Sequence, residues 1–489
     1  MSLAIQLLNT RRRPLALVVL TLLCGGFNLA YSPGISVDEG WVLQAPHNLL
    51  QYGIYGTWPL DGPLPFDPDI TTGPAVLLPI TALFAVFGEG VLQARLVTVA
   101  YSVLAVLAFY AAALRTVDRR VALLAAALLS LSLYPLNRSS LGEVPGLFWL
   151  LTGAIVWLDA YRDDAHLRYL AAGLCFGLAA LCKLALAPIA AGAVIACWLF
   201  SALLSGQRRS LAAVTRPLLT IAGVLALWYG FQGLVVGFDG LFNRLGALAG
   251  YQPQNLSPSA PRALKNAVVL LITVPFAALP WWVAGLVLAP WRLRLRLLRD
   301  PEYCFWVVLL AACGGFYIVS IGWPRYAFWA MAVGMMGVAW VLEPFAGLVR
   351  PSEQRDRRRS NLGLGLAGLV LLSAPALAVW DDVSPRDDTG ERTANYLLAN
   401  AAATDRVGTT EWELDFLTGR RLRHPPPYTL PVSQAVLDAT FDWSWPGMNW
   451  VALGNAGQAF GAQARLRRTQ GWEPRFTAGA YTVYQRAGG

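Results

Sequence analysis

Long apolar segments recur through most of the chain, and they constrain its fold more than any other feature. They are 15 to 24 residues long, close to the ~20 residues that a helix needs to cross a bilayer. The segments lie at 14–31, 94–114, 121–136, 144–159, 169–183, 185–202, 217–236, 266–289, 303–321, 326–345 and 361–380. Only 14% of residues are charged, against about 25% in soluble domains. We therefore predict a polytopic α-helical membrane protein with about 11 transmembrane helices.

Basic residues predict which ends of these helices face the cytoplasm. If a further apolar segment, 72–88, lies on the membrane surface, most basic clusters fall on one side together with the N-terminus. These clusters lie at 11–13, 115–120, 162–168, 208–216, 292–299 and 350–359. The positive-inside bias assigns that side to the cytoplasm, and Pro74 and Pro79 weaken segment 72–88 as a straight spanning helix. The net charge of +9 then needs no nucleic-acid partner.

The first loop on the outward side is long and acidic. No Lys or Arg occurs between Pro14 and Ala94, and the loop at 32–71 is too long for a mere connection. Its acidic residues are Asp38, Glu39, Asp61, Asp67, Asp69 and, further on, Glu89. Ser36 and Glu39 predict a capping box, in which the Glu39 side chain returns to the Ser36 amide. The following amphipathic helix would hold Asp38 rigidly at the membrane surface.

Further charged residues are predicted at outward helix ends. Glu143 begins a helix in the motif Leu-Gly-Glu-Val-Pro, where it is either an ordinary interfacial residue or a functional one. Lys183 ends an apolar run, where snorkelling to the interface is the alternative explanation. Arg95, Arg138 and Arg325 fall on the same side. Together these cations predict an anion site above the bilayer core, such as one for a lipid phosphate.

A metal site has weaker support. Asp67 and Asp69 could serve a hard divalent cation, although an extended turn around Pro68 explains the pattern more simply. The six cysteines lie in apolar stretches without close pairs, and the three histidines are scattered. Neither a disulfide framework nor a zinc site is indicated.

The composition becomes polar and charged after Trp380. Short β-like runs at 406–410, 450–453 and 480–485, among Pro and Gly turn signals, predict a small outward α/β domain. We therefore divide the chain into a membrane domain, 1–380, and a C-terminal domain, 381–489. The membrane domain includes the outward loop 32–93 with its interfacial helices.

The order of these motifs resembles that of the GT-C glycosyltransferases, in the group of protein O-mannosyltransferases and the lipid A aminoarabinose transferase. The pair Asp38-Glu39 after the first span resembles their acidic loop motif. Residues 71–79 and 91–96 are similar to the interfacial helix and the start of the second span in bacterial members. Glu143, Lys183 and Arg325 follow in the expected order, so the resemblance extends over roughly residues 1–345.

This resemblance implies a transferase that moves a sugar from a polyprenyl-phosphate carrier to a hydroxyl acceptor. The acceptor would be lipid A or lipopolysaccharide, another envelope glycan, a lipid or a protein, on the periplasmic side of the bacterial inner membrane. Asp38 would match the catalytic carboxylate and act as base in an inverting displacement. Glu143 would match the second-loop acidic position, and Glu39 is a further catalytic candidate. No cofactor besides the lipid-linked donor is expected, and metal dependence stays open.

One departure from the family bears on the donor phosphate. The aminoarabinose transferases carry a Lys before the Pro of the interfacial helix, where this chain has Thr72 and Gly73. Lys183, Arg138 and Arg325 are the candidates to contact the phosphate instead.

Two other classes of protein are alternatives. A transporter or flippase of a lipid-linked or anionic substrate would more often show internal repeats and broken helices at the bilayer midplane, whereas the charges here gather at outward helix ends. A scaffold subunit would leave the acidic loop and Lys183 unexplained.

Overall fold

The computed structural model describes residues 12–60, 62–68, 70–133, 138–205, 210–243, 245–246, 260–272, 300–320, 322–348, 386–425 and 441–487. The membrane domain contains a small hairpin, β1 (Gly56–Thr57) and β2 (Leu64–Pro65). Its helices are α1 (Arg12–Gly26), α2 (Val37–Tyr52), α3 (Pro74–Phe87), α4 (Val91–Ala113), α5 (Arg119–Ser132), α6 (Glu143–Asp163), α7 (His166–Cys182), α8 (Leu186–Ser205), α9 (Ala212–Val236), α10 (Ala260–Ile272), α11 (Pro301–Val319) and α12 (Pro324–Leu348).

Several of these helices have the length and composition of membrane spans. Within the described part of the chain, five qualify by both criteria: α4, α6, the first 18 residues of α8, α9 and α11. This agrees with a multi-pass membrane protein. The predicted span 361–380 and much of 266–289 lie outside the described residues, so the count of eleven stays a prediction.

Helix α3 corresponds to the segment predicted to lie on the membrane surface. It has 14 residues, which at ~1.5 Å per residue is too short to cross a hydrocarbon core of ~30 Å without tilt or thinning. Pro74 begins the helix, a position where the missing amide of Pro costs nothing. Since α5 also has 14 residues and corresponds to a predicted span, the surface location of α3 stays a prediction.

The bundle interior is packed with aromatic and small side chains. Helix α6 lies along α7 and α4, and α11 packs against α8 and α12. Trp157, Trp306 and Trp329 are fully buried there, and the Trp157 indole donates to the Ala213 carbonyl oxygen at 2.9 Å. Such packing and internal hydrogen bonds hold helices together in lipid, where the hydrophobic effect between helices is absent.

One end of the bundle is held by a network of charges. Arg115, just beyond α4, donates to Asp159 of α6 at 2.6 Å and to both Glu302 oxygens of α11 at 2.6 and 2.9 Å. Arg162 of α6 also contacts Glu302, at 3.1 Å. These arginines belong to the clusters predicted on the cytoplasmic side, and the structure places them at one end of the bundle.

Helices α2 and α3 and the C-terminal domain lie at the other end, which we call the α2 end. The C-terminal domain contains α13 (Thr389–Asn400), β3 (Val407–Thr409), α14 (Glu413–Thr418), β4 (Trp450–Leu453), α15 (Asn455–Ala459), α16 (Ala462–Arg468), β5 (Trp472–Ala478) and β6 (Tyr481–Arg486). The sheet order is β3-β4-β6-β5. Strands β3 and β4 pair in parallel, whereas the β4-β6 and β6-β5 pairs are antiparallel.

This sheet confirms the predicted small α/β domain. Strands β3, β4 and β6 fall on the three predicted β-like runs. Strand β5 was not predicted, and it contains Pro474 and a register shift between Pro474 and Phe476, which interrupt a strand pattern. The predicted boundary at 380 lies outside the described residues and stays a prediction.

The β1-β2 hairpin contacts α9 through aromatic rings. Tyr55 lies 5.4 Å from Trp228, and Phe66 lies 5.9 Å from Phe231, between ring centroids. Along the rest of α9 the large apolar side chains Leu219, Leu227 and Leu234 are 71 to 79% exposed. A helix with so much exposed apolar surface requires lipid around it, so α9 lies at the periphery of the bundle.

Candidate functional site

The first turn of α2 carries Asp38 and Glu39. The Ser36 hydroxyl accepts a hydrogen bond from the Glu39 amide at 3.2 Å, and the Gly40 amide donates to the Ser36 carbonyl oxygen at 2.8 Å. This turn confirms Ser36 as the predicted N-cap. The second half of the predicted capping box is wrong, because the Glu39 side chain turns instead to Arg95, whose paired charge is a stronger partner than an amide.

Glu39 and Arg95 form a buried ion pair beneath Asp38. Arg95 Nε and Nη2 donate to the two Glu39 oxygens at 2.9 and 2.7 Å. Oε1 also accepts from the Ser140 amide and hydroxyl, at 3.0 and 3.1 Å. Arg95 Nη1 donates to the carbonyl oxygens of Leu29 and Pro33. This network ties α2 to α4 and to the loop before α6.

Arg138 binds the backbone at the end of α1. Its Nε donates to the Ser32 carbonyl oxygen at 2.7 Å, Nη1 to those of Cys24 and Gly25 at 3.0 and 3.4 Å, and Nη2 to that of Phe27 at 2.5 Å. The last carbonyl groups of a helix have no partner within it. Arg138 therefore caps α1 and fixes the loop that leads to α2.

Four charged side chains meet at the α2 end and alternate in sign; we call them the charged row. Arg325 Nη1 lies 2.6 Å from Asp38 Oδ2, and Arg325 Nε lies 4.0 Å from Glu143 Oε1. Lys183 Nζ lies 3.2 Å from the same Glu143 oxygen. Each of the four is a predicted site residue, and the structure brings them together. The Asp38 side chain is 37% exposed, whereas that of Glu143 is 1% exposed.

Two glycines bring Lys183 to the start of α3. A Cβ on Gly73 would lie 2.1 Å from a backbone oxygen of α7, and one on Gly142 would lie 2.2 Å from the Cys182 oxygen. The Gly73 amide donates to the same Cys182 oxygen at 3.1 Å. Because α3 and α6 begin so close to the end of α7, Lys183 Nζ reaches the Thr71 hydroxyl at 2.8 Å. An ammonium group and a helix N-terminus thus lie side by side.

Aromatic rings support the guanidinium of Arg325. Its Cζ lies 4.2 Å from the centroid of Trp323 and 5.5 Å from that of Tyr326. Lys183 Nζ lies 6.0 Å from the Tyr326 ring. Aromatic rings attract cations through their negative faces. The rings of Trp323 and Tyr326 therefore hold the two cations in place without neutralising their charge.

Of the two residues of the weak metal candidate, Asp67 is described by the structure and Asp69 is not. Asp67 Oδ2 accepts from the Thr57 hydroxyl at 2.6 Å and from the Trp41 indole at 3.3 Å, and Asp69 lies outside the described residues. Among the residues that are described, no group of three or more His, Cys, Asp or Glu could hold a metal ion. In the structure Asp67 joins the hairpin to α2.

A cluster of the C-terminal domain against α2 was not predicted. Trp41 of α2 stacks on Trp412, with ring centroids 5.0 Å apart. Trp412 stacks on His424 at 3.5 Å, and His424 Nε2 lies 2.6 Å from Asp415 Oδ2. Since α2 and this domain are remote in sequence, no local pattern could have indicated their contact.

Comparison with solved structures identifies the architecture. The chain is similar to ArnT from Cupriavidus metallidurans bound to undecaprenyl phosphate, with a TM-score of 0.62, 13% identity, and coverage of 96% of this chain and 97% of that one. It is also similar to the Archaeoglobus fulgidus oligosaccharyltransferase, with a TM-score of 0.62, 12% identity, and coverage of 94% of this chain and 72% of that one. The chain has the GT-C glycosyltransferase fold.

Further comparisons agree with this fold. Mycobacterial arabinofuranosyltransferase AftD matches with a TM-score of 0.56 and 16% identity, over 98% of this chain and 40% of AftD. A family model described as dolichyl-phosphate-mannose-protein mannosyltransferase matches residues 71–230, a stretch that contains Glu143 and Lys183. Among curated proteins no sequence matches. The family model and the GT-C fold confirm the predicted resemblance and, with it, the predicted enzyme class of glycosyltransferase.

Proposed function

We propose that the chain transfers a sugar from a polyprenyl-phosphate carrier to a hydroxyl acceptor, with the charged row as its active site. The observation that carries the proposal is the meeting of Asp38, Arg325, Glu143 and Lys183 at one end of a GT-C fold. The likeness to ArnT, solved with undecaprenyl phosphate bound, supports a lipid-phosphate donor.

Asp38 is the residue that we assign as the base. Its side chain is the most accessible of the three candidate carboxylates, since those of Glu39 and Glu143 are each 1% exposed. A base must come within hydrogen-bond reach of the acceptor hydroxyl. An incoming phosphate that engages Arg325 would release Asp38 from its present partner, so that donor binding prepares the base. Attack by the activated hydroxyl opposite the departing phosphate inverts the anomeric centre.

Lys183 and Arg325 are the groups that we assign to the donor phosphate. The leaving group departs as an anion, and cations held in advance near that position stabilise the transition state. Lys183 reaches Thr71, which directly precedes Thr72 and Gly73, the residues that stand where the aminoarabinose transferases carry their own Lys. It therefore supplies a positive charge to that loop from a different helix.

Arg95 and Arg138 belong to the scaffold in this proposal. The hydrogen bonds described above direct Arg95 to Glu39 and two carbonyl oxygens, and Arg138 to carbonyl oxygens at the end of α1. Both side chains are fully buried. Glu39 likewise acts through Arg95 as a positioning residue, and Asp38 and Glu143 remain the catalytic candidates.

The same proposal includes the location of the site. We assign the α2 end to the periplasmic side of the bacterial inner membrane, with the C-terminal domain (381–489) also outside. Support comes from the opposite end of the bundle, where Arg115 and Arg162 lie as the positive-inside bias requires for a cytoplasmic face. The acceptor would be lipid A, another envelope glycan, a lipid or a protein.

The test compares purified Asp38→Asn with the purified wild type, using material from a strain in which the natural gene has been deleted. A lipid extract and envelope material from the deletion strain supply unused donor and acceptor to the purified protein in detergent. We expect the wild type to form a new glycosidic product, detected by mass spectrometry, and Asp38→Asn to form it at least ~10²-fold more slowly, as for loss of a general base. Asp163→Asn, at the opposite end of α6, is the control with full activity.

The detergent assay separates this function from the alternative. A transporter or flippase needs two compartments and would form no product without them. Equal rates for Asp38→Asn and the wild type would refute the assignment of the base. If the wild type forms no product but moves the lipid-linked substrate across the membrane of reconstituted vesicles, the transporter would be favoured.

A further inference from the structure

The C-terminal domain packs its backbone against the turn that carries Asp38. A Cβ on Gly40 would lie 2.2 Å from Glu413 Cα and 2.4 Å from the Glu413 backbone nitrogen. The Gly40 amide also closes the first turn of α2 by donating to the Ser36 carbonyl oxygen, and Asp38 lies within that turn. Any movement of Glu413 against Gly40 is therefore transmitted to the backbone around Asp38.

Glu413 is buried beside this contact, and no cationic side chain of the described residues pairs with it. Its side chain accepts a hydrogen bond from the Tyr481 hydroxyl at 2.6 Å through Oε1. Its other oxygen has no hydrogen-bond partner within the described residues. The residue is 1% exposed, and burial of an ionised carboxylate without a counter-charge is costly.

The acidic neighbours of Glu413 have their own partners. Glu411 accepts hydrogen bonds from the amides of Gly454, Ala456 and Gly457 and from the Thr410 hydroxyl, at 2.8 to 3.2 Å. On α14, Asp415 pairs with His424 at 2.6 Å and accepts from the Leu422 amide at 3.0 Å.

On α2, the nearby carboxylates are also paired. Asp38 contacts Arg325 and Glu39 contacts Arg95. Strand β6 presents the Tyr481 hydroxyl. The other acids around this contact thus each have a cationic or hydrogen-bond-donating partner for their carboxylate.

Burial, followed by the charge of Glu411, raises the pKa of Glu413 to about 8. An exposed Glu ionises near pH 4.5, so the buried position of Glu413 favours the protonated side chain at neutral pH. We propose that Glu413 is a positioning residue for Asp38, one that holds the C-terminal domain against the first turn of α2. The inference rests on the proposed function, since it assigns Asp38 a role that positioning can affect.

The direction of the pH effect follows from linkage. Between about pH 4.5 and about pH 8 the buried Glu413 keeps a proton that the exposed side chain has lost. Burial of Glu413, and with it the local packing against Gly40, therefore weakens by up to about tenfold for each pH unit in this interval. Above about pH 8 the docked Glu413 is itself ionised, and the dependence ends.

The experiment compares the full-length wild type with Glu413→Gln between pH 5.5 and 9.5. Gln keeps an oxygen for the Tyr481 hydroxyl and has no charge to acquire. We expect the unfolding temperature of the wild type to fall as pH rises to about 8, and that of Glu413→Gln to fall much less. The transfer rate of Glu413→Gln should equal that of the wild type at the lowest pH and lose the decline that the wild type shows as the pH rises to about 8. Glu473→Gln, an exposed change in β5, is the control and should follow the wild type.

A second variant keeps the inference testable if Glu413→Gln does not fold. The Tyr481 hydrogen bond lowers the pKa of Glu413, so in Tyr481→Phe the decline of the transfer rate should extend to higher pH. Parallel profiles of transfer rate for the wild type and the folded variants would overturn the positioning role. A change in unfolding temperature alone would reduce Glu413 to a structural residue. If the wild type transfers no sugar, the proposed function fails while the unfolding profiles still report on docking.

Discussion

Glu39→Gln tests whether this residue supports Arg95 or takes part in the chemistry. Both Glu39 oxygens accept hydrogen bonds, from Arg95 and Ser140. The NH2 group of Gln would point at one of these donors and would leave the fully buried guanidinium of Arg95 without a counter-charge. Breaking a buried ion pair in this way costs ~3–5 kcal/mol. That cost lowers the ratio of folded to unfolded protein by roughly a hundredfold or more, at about 1.4 kcal/mol for each factor of ten.

The matched control is Asp163→Asn, which removes a carboxylate from a pair with Arg168. Both side chains of this pair are 52% exposed, and an exposed pair contributes ~0–1 kcal/mol. Resistance to heat in detergent, followed as the monodisperse fraction in size-exclusion chromatography, should drop for Glu39→Gln and stay unchanged for Asp163→Asn and Asp38→Asn. Equal stability of Glu39→Gln and Asp163→Asn, with transfer lost only in Glu39→Gln, would refute this reasoning and make Glu39 a catalytic residue.

Three further predictions follow from the same contacts. Gly40→Ala should lower the free energy of unfolding by ~1–3 kcal/mol, as overpacking does, and reduce transfer, because its Cβ would meet the backbone of Glu413. The control is Gly192→Ala, where a Cβ would have nothing within 4 Å, and it should change neither quantity. An unaffected Gly40→Ala protein would contradict the close contact. Lys183→Ala should raise the apparent KM for the lipid extract, and Lys183→Arg should bring this KM part of the way back to the wild-type value. An unchanged KM for Lys183→Ala in a titration of the extract would exclude Lys183 from the phosphate site. A Cys in place of exposed Glu473, on the proposed periplasmic side, should react with an impermeant maleimide added to intact spheroplasts. A Cys in place of Leu167, which is 80% exposed at the proposed cytoplasmic end, should not react. The reverse labelling would invert the proposed topology.

The sequence was informative about where the site residues lie and less so about what they contact. Asp38, Glu143, Lys183 and Arg325 could be assigned to one end because successive helices alternate in direction, which makes sidedness a matter of counting. Arg95 and Arg138 share the same side and the same charge, yet their partners are a buried carboxylate and backbone carbonyl oxygens. Whether a cation faces a ligand or the protein depends on tertiary contacts that a single sequence does not encode locally.

The same limit applies to the C-terminal domain. Three strands were predictable from β-branched and aromatic runs, but the contact of Glu413 with Gly40 joins segments that are distant in the chain. Gly40 gave no signal of its own, because a glycine in the first turn of a helix has many explanations. Only the approach of a second backbone shows why a side chain is excluded there.

The aromatic contact between the hairpin and α9 has a consequence for the bilayer. Trp and Tyr favour the boundary between headgroups and hydrocarbon, so Trp228 and Tyr55 fix the height at which the α2 end rests in the membrane. The height of a lipid phosphate is set separately, by the thickness of the leaflet. If the charged row is the active site, its rate depends on agreement between two lengths, one built into the chain and one supplied by the lipids, and we expect acyl-chain length to change that rate.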